Sequence, residues 1–123
     1  MAEIIPYLFY RDVPAALDWL GRAFGFREVM RHPTPSGMHA EMVFGGARIM
    51  MGQGAADARL RPPLVTGTAS QGVFVYTDDV AAHCAQAKAA GAEIEQDPAD
   101  HGYGLTYTVR DLDGHPWFFT QSP

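Results

Sequence analysis

Two polar side chains in one strand-like run are the first candidates for chemistry. His39 and Glu41 stand two residues apart in the stretch HAEMVF, residues 39–44. Side chains alternate along a strand, so both should point to the same face. On a concave face, an imidazole and a carboxylate could bind a metal ion or hold a polar group of a substrate. A solvent-facing polar pair or a dimer contact would give the same spacing, so the pattern leaves these alternatives open.

Other reactive residue types lie in turns and on a helix-like segment. His101 and Tyr103 belong to the loop DHGYG, residues 100–104, which could form a lid or simply mobile surface. His115 follows a turn glycine, where it could line a pocket mouth, although a role in stabilising the hairpin is the favoured interpretation. Cys84 has no activating partner in the sequence, which favours a buried structural thiol.

Aromatic residues are frequent in the strand-like runs. They include Tyr7, Phe9, Phe74, Tyr76, Tyr107, Trp117 and Phe119. About half should face the helices as core, and the rest could line a groove for flat or apolar ligands, where aromatic contacts add about 0.5–1.5 kcal/mol per pair beyond burial. Together with the polar candidates, this predicts a groove that contains His39, Glu41, Tyr103 and Trp117.

The elements that would position these side chains form an internal repeat. Helix-like segments at 11–26 and 78–93 each start at an Asp-Val pair and end near a glycine, with Asp12 and Asp79 as predicted N-caps. His83, on the second segment, is predicted to be solvated. The strand-like runs around the two segments are 4–10, 26–32, 39–44, 47–52, 72–77, 92–96, 105–110 and 115–121.

The repeat predicts one α+β domain over residues 1–123. It consists of two βαβββ modules, at about 1–52 and 71–123, joined by a Gly-, Ala- and Pro-rich connecting segment over 53–70. A module of this size needs a neighbour to bury one face of its sheet. We therefore expect two curved antiparallel sheets with a helix outside each and a groove inside.

Composition excludes several classes of function. The net charge of −5, with 9 basic residues scattered among 14 acidic ones, argues against a nucleic-acid-binding protein. No apolar run approaches the roughly 20 residues that a membrane helix needs. Cys84 is the only cysteine, which excludes an internal disulfide and predicts a cytoplasmic location.

Three stretches, residues 10–26, 38–52 and 100–119, resemble the vicinal oxygen chelate superfamily. This is the glyoxalase, bleomycin-resistance and dioxygenase group, and the likeness is greatest to its bacterial PhnB-like or glyoxalase-like branch. The resemblance covers nearly the whole chain. It implies paired βαβββ modules, a homodimer, and a small-molecule pocket in the concave sheet of each module.

The resemblance also implies where a catalytic metal would be held. Enzymes of this family bind a divalent metal with four side chains, two from each module, and these positions correspond to Ile5, Met50, Gly72 and Phe118. None of these residue types binds a hard metal ion. The mismatch at these four positions therefore predicts that the chain has neither metal nor cofactor. The resemblance also predicts that Met50 faces the groove.

These features lead to two main functional hypotheses. The first is a homodimeric binding protein that sequesters or carries a small, partly aromatic molecule. The alternative is a metal-dependent lyase, isomerase or dioxygenase with a rearranged site around His39 and Glu41. A third possibility, an interaction domain without a ligand, would require the groove to be filled completely by side chains.

Overall fold

In a computed structural model of the chain, residues 1–35, 37–54 and 60–123 are described. The elements are β1 (Tyr7–Tyr10), α1 (Val13–Phe24), β2 (Arg27–Thr34), β3 (Gly37–Phe44), β4 (Ala47–Gln53), α2 (Pro63–Thr66), β5 (Val73–Thr77), α3 (Val80–Ala89), β6 (Glu93–Asp100), β7 (Leu105–Arg110) and β8 (Pro116–Gln121). Of the predicted connecting segment 53–70, residues 55–59 lie outside the described part.

The strands form two four-stranded sheets with the same topology. The first sheet has the order β1-β4-β3-β2 and the second has the order β5-β8-β7-β6. Three strands of each sheet are antiparallel, and the strand that precedes the helix joins in parallel, as β1 on β4 and β5 on β8. The predicted α+β fold of two βαβββ modules is confirmed, with one parallel pair in each sheet.

The helix boundaries follow from local sequence. The carboxylate of Asp12 accepts the backbone N–H of Ala15 at 3.1 Å, and Asp79 does the same for Ala82 at 3.0 Å. Each acceptor satisfies one of the free N–H groups of a first helical turn. Gly25 ends α1 with a left-handed φ of 80°, a conformation that glycine adopts without steric cost. Both predicted N-caps are confirmed.

The core lies between the helices and one face of each sheet. In the first sheet the helix-facing residues are Leu8, Tyr10, Ala40, Met42, Ile49 and Met51. In the second they include Tyr107, Val109, Trp117 and Phe119. Phe24, at the end of α1, packs its ring 5.2 Å from Trp117 and 4.8 Å from Phe119, so the two modules share this aromatic core.

His83 lies inside this shared core, and the prediction that it is solvated is wrong. Its Nδ1 is 2.6 Å from the hydroxyl of Tyr107, and its Nε2 is 2.8 Å from the carbonyl oxygen of Phe24. A neutral imidazole satisfies both contacts, because Nε2–H donates to the carbonyl and Nδ1 accepts from the phenol. Burial lowers the pKa of His83 below its usual value, which favours this neutral form.

The turn between β7 and β8, residues 111–115, holds the second module against β1. Asp113 accepts the backbone N–H of Arg11 at 2.7 Å and forms an ion pair with its guanidinium at 2.9 Å. Nε2 of His115 donates to the carbonyl of Phe9 at 2.8 Å. The side chain of His115 thus has a structural role, but it bonds to β1 of the first module rather than within its own hairpin as predicted, and the outer edge of β1 is covered.

Asp111 forms the buried base of this turn. One of its carboxylate oxygens accepts from the hydroxyl of Tyr10 at 2.6 Å and from the indole N–H of Trp117 at 3.1 Å. The other accepts two backbone N–H groups of the turn, from residues 113 and 115. Burial raises the pKa of Asp111, while these donors stabilise its carboxylate.

Within the described residues, no helix is both long and apolar enough to cross a membrane.

Candidate functional site

His39, Glu41 and Met50 share one face of the first sheet. Glu41 pairs with Met50 across β3 and β4, and His39 pairs with Gly52. Their sequence neighbours Ala40 and Met51 are buried against the helix side, so alternation directs these three side chains to the opposite face. We call the face of each sheet that lies opposite its helix the open face. The three residues that the sequence predicted for the groove therefore lie together on the open face of the first sheet.

Tyr7 joins this surface from β1. Its hydroxyl is 2.8 Å from Nδ1 of His39, and its ring lies over Gly52, where an added Cβ would come within 2.9 Å of the phenol oxygen. Tyr7 remains 45% exposed. The hydroxyl and Nδ1 bond to each other, so the pair offers a bound molecule the one donor and the one acceptor that remain on the phenol and the imidazole. Sequence reasoning identified Tyr7 only as one aromatic residue among several, because its partner His39 is 32 residues away.

Glu41 lies in a small charged cluster on the same face. Arg48 forms an ion pair with Glu41 at 3.4 Å and a second ion pair with Glu3. Two carboxylates therefore share one guanidinium, and the cluster retains a net negative charge. Such a cluster favours a cationic or hydrogen-bond-donating group of a ligand. Sequence reasoning missed Arg48 because it meets Glu41 only across the β3–β4 hairpin.

Tyr103 lies in the loop between β6 and β7, beside the second sheet and apart from the charged cluster. Its ring centroid is 6.3 Å from that of Phe74, and Phe74 is 5.3 Å from Tyr76. These three rings are 58%, 49% and 54% exposed, respectively. Val73 and Val75, which alternate with the rings along β5, pack against the core instead. The three rings form an aromatic surface on the open face of the second sheet.

Trp117 belongs to the core rather than to the groove. It has no exposed surface, pairs with Val109 and Val73, and donates its indole N–H to Asp111. The predicted placement of Trp117 in the groove is therefore corrected. Its neighbour Phe118 occupies the open face, because adjacent residues of a strand point in opposite directions.

The four positions that the resemblance assigns to metal ligands do not fit a divalent metal. The ring of Phe118 fills the space beside Gly72, where an added Cβ would meet its Cε2 at 2.6 Å. Met50, which pairs with both Tyr7 and Glu41, offers only a thioether. Ile5 offers hydrocarbon alone. In the part of the chain that the structure describes, no group of three or more His, Cys, Asp or Glu side chains could hold a metal ion.

A separate cleft of about 630 Å³ lies between the β3–β4 turn and strand β5. Phe26, Phe44 and Ile49 line one side, and β5 lines the other over its whole length. Arg48 reaches its rim, but neither His39 nor Tyr7 contributes to its lining. Its volume lies within the range of roughly 300–1,000 Å³ that is typical of small-molecule pockets.

Comparison with known proteins identifies relatives of the whole chain. A family model described as the Glyoxalase/Bleomycin resistance protein/Dioxygenase superfamily matches residues 3–119. The crystal structure of TioX from Micromonospora sp. ML1 is 35% identical, with a TM-score of 0.77 over 99% of this chain and 97% of that chain. No curated protein matches the chain.

More distant structures share the fold. TnmS3, an antibiotic-binding protein from Streptomyces sp. CB03234, is 20% identical, with a TM-score of 0.83 over 100% of this chain and 98% of that chain. The fosfomycin resistance protein FosX from Listeria monocytogenes is 17% identical, with a TM-score of 0.74 over 100% and 94% of the two chains. At these identities the likeness establishes the architecture alone.

Proposed function

Because the chain belongs to the Glyoxalase/Bleomycin resistance protein/Dioxygenase superfamily, we propose that it is a small-molecule-binding protein that works without the metal of the family's enzymes. The observation that carries this proposal is the ring of Phe118 beside Gly72, which fills the space of two of the four metal-ligand positions. Met50 and Ile5 at the other two positions supply no oxygen or imidazole donor.

The two open faces define the chemistry of the proposed ligand. The first offers the Tyr7–His39 pair and the negative cluster around Glu41. The second offers the rings of Tyr103 and Phe74, which suit stacking against a flat molecule. The ligand is therefore a partly aromatic molecule with a cationic or hydrogen-bonding group. Because TnmS3, which shares the fold, is an antibiotic-binding protein, antibiotics of this kind are the first compounds to test.

A homodimer is part of the proposal. The exposed rings of Phe74, Tyr76 and Tyr103 form an apolar surface of a kind that usually contacts a ligand or another subunit. A second copy that covers these rings would exclude water from a ligand bound to them. Analytical ultracentrifugation tests this, since a monomer at all concentrations would contradict it. A cytoplasmic location remains our expectation from the single cysteine.

A ligand screen tests the proposed binding function. We expect a bleomycin-type antibiotic or a flat cationic aromatic compound to raise the melting temperature and to give saturable heat in titration calorimetry. Glu41→Gln should weaken binding because it removes a charge from the open face. Asp18→Asn, on the exposed side of α1, is the matched control, since it removes the same charge away from both sheets. Equal losses in the two variants would contradict the assigned surface.

The alternative is a metal-dependent lyase, isomerase or dioxygenase built around His39 and Glu41. Their shared open face is the observation that supports it. Elemental analysis of protein purified without chelator and offered Zn, Ni, Mn and Fe(II) separates the two functions. Near-stoichiometric metal that is lost in His39→Ala would establish the enzyme hypothesis and overturn the metal-free proposal. Protein that takes up none of these metals would support the binding function.

A further inference from the structure

The two modules treat the outer edges of β1 and β5 differently. The two modules can be aligned on their N-cap residues, Asp12 and Asp79. In this alignment Arg11 corresponds to Asp78, and Phe9 corresponds to Tyr76. At β1, the outer edge is occupied by the turn of residues 111–115. That turn accepts the N–H of Arg11 and donates to the carbonyl of Phe9. A segment that binds to the outer edge of such a strand therefore needs one hydrogen-bond acceptor and one hydrogen-bond donor.

The corresponding turn of the first module is too short to do the same at β5. Only residues 45 and 46 connect β3 to β4, whereas residues 111–115 connect β7 to β8. The cleft of about 630 Å³ lies between this short turn and β5. The cleft thus occupies, beside β5, the position that the five-residue turn of the second module occupies beside β1.

The edge of β5 presents backbone groups to this cleft. Within the described residues, β5 pairs only with β8. The carbonyl of Thr77 accepts from the backbone N–H of Ser122, which continues the β8 side. Backbone groups alternate between the two sides of a strand, so the N–H and C=O groups of Phe74 and Tyr76 point to the cleft. An edge of this kind is a template for pairing with another chain.

We propose that the cleft binds an extended, uncharged peptide or peptide-like chain, which adds to β5 as a further strand. Its amides would bond to the backbone of Phe74 and Tyr76, as the turn bonds to β1. Its apolar side chains would pack on Phe26, Phe44 and Ile49, which line the opposite side. The rim cation Arg48 is already paired with Glu3 and Glu41. The carboxylate of Asp78 also lines the cleft and disfavours an acidic chain. An uncharged chain meets neither charge, so it is the occupant that we propose.

The cleft site shares Phe74 and Tyr76 with the aromatic surface of the proposed function, but it uses their backbone groups rather than their rings. Tyr7 and His39 do not line the cleft, and strand addition to β5 requires no ligand on the open faces. A test that removes only backbone hydrogen bonds therefore distinguishes failure of this proposal from failure of the proposed function.

The test uses the full chain and the blocked peptide acetyl-Thr-Val-Thr-Val-Thr-amide. We expect amide chemical shifts of Phe74 and Tyr76 to move with saturation, and hydrogen exchange at Tyr76 to slow. The same peptide with every backbone nitrogen methylated keeps the side chains but has no N–H donors. It should bind about tenfold more weakly or not at all, since it loses the edge hydrogen bonds. Equal binding of both peptides would overturn the proposal.

Gly46→Trp tests the location on the protein side. Gly46 lines the cleft, and a Cβ added there meets nothing within 4 Å, so the fold accommodates the change while the indole occupies space at the cleft. Peptide binding should weaken about tenfold in Gly46→Trp but not in the matched control Gly46→Ala. Shift changes at Tyr7 and His39 instead of β5 would contradict the site. So would a peptide that fails to bind at chain concentrations where the homodimer forms, since this would assign the backbone edge itself to a second copy of the chain.

Discussion

The ring of Phe118 lies against Gly72 so closely that residue 72 has no room for a side chain. A Cβ there would meet Cε2 of Phe118 at 2.6 Å and the backbone carbonyl oxygen of Pro116 at 3.1 Å. Tyr7 lies against Gly52 in a similar way in the first sheet, with a corresponding distance of 2.9 Å. In each case an aromatic ring on the open face covers a glycine. The open face therefore has an aromatic surface at these positions, against which a ligand could stack.

Gly72→Ala tests this packing. We expect the substitution to lower the free energy of unfolding by about 1–3 kcal/mol, because an extra methyl group forces the ring of Phe118 or the adjacent backbone to move. Phe118→Leu should remove part of this penalty in the double variant, and urea denaturation of all four proteins gives the coupling energy. Gly46→Ala, in open space, is the control. Independent, additive effects of the two changes would contradict the contact.

Asp111→Asn should show that the β7–β8 turn depends on a carboxylate. Asn can keep the two backbone bonds through its oxygen, but its amide group would face the indole N–H of Trp117, which is a donor only. We expect a loss of about 1–3 kcal/mol in urea denaturation, the usual cost of an unsatisfied buried donor.

Tyr10→Phe is the comparison for that change. It removes one donor to Asp111 and leaves the carboxylate in place, so the expected loss is only about 0.5–1.5 kcal/mol. If Asp111→Asn were no more destabilising than Tyr10→Phe, the indole contact would contribute nothing measurable and the proposed role of the carboxylate would be wrong.

The open-face site predicts a difference between a variant of the first sheet and a control variant on α1. Tyr7→Phe removes the hydroxyl that meets His39 but keeps the ring over Gly52, so stability should change by less than about 1 kcal/mol. Affinity for a compound found in the ligand screen should fall about tenfold if its polar group uses this pair. Titration calorimetry on Tyr7→Phe and Asp18→Asn provides the measurement. Unchanged affinity in Tyr7→Phe would exclude the phenol from the site.

Local sequence signals predicted the architecture, whereas long-range contacts decided the site. The capping residues Asp12 and Asp79 act within their own first turns, so their roles could be read directly. Three consecutive aromatic residues, 117–119, gave no alternation, and the sequence could not tell that Phe118 rather than Trp117 faces outward. His83 is buried because α1 of the other module supplies its acceptor, the carbonyl of Phe24, 59 residues away.

The buried imidazole of His83 predicts how stability depends on pH. Burial lowers its pKa in the folded protein, while the unfolded chain has the ordinary value of about 6.5. Below that pH the unfolded chain takes up a proton that the folded chain does not. The free energy of unfolding should therefore fall as the pH drops below about 6.5, by at most about 1.4 kcal/mol per unit from this one group.

Several groups pack around His83 and define the control for this prediction. Tyr107 bonds to its Nδ1, burial raises the pKa of Tyr107, and the rings of Phe24, Phe44 and Phe119 enclose the imidazole. Protonation would place a positive charge in this apolar core, and the cost of desolvating that charge is why the neutral form is favoured. Urea denaturation between pH 7.5 and 5 should give a steeper loss for the native chain than for His83→Gln. The exposed His32→Gln should keep the native slope, and a native slope in His83→Gln would show that another group is responsible.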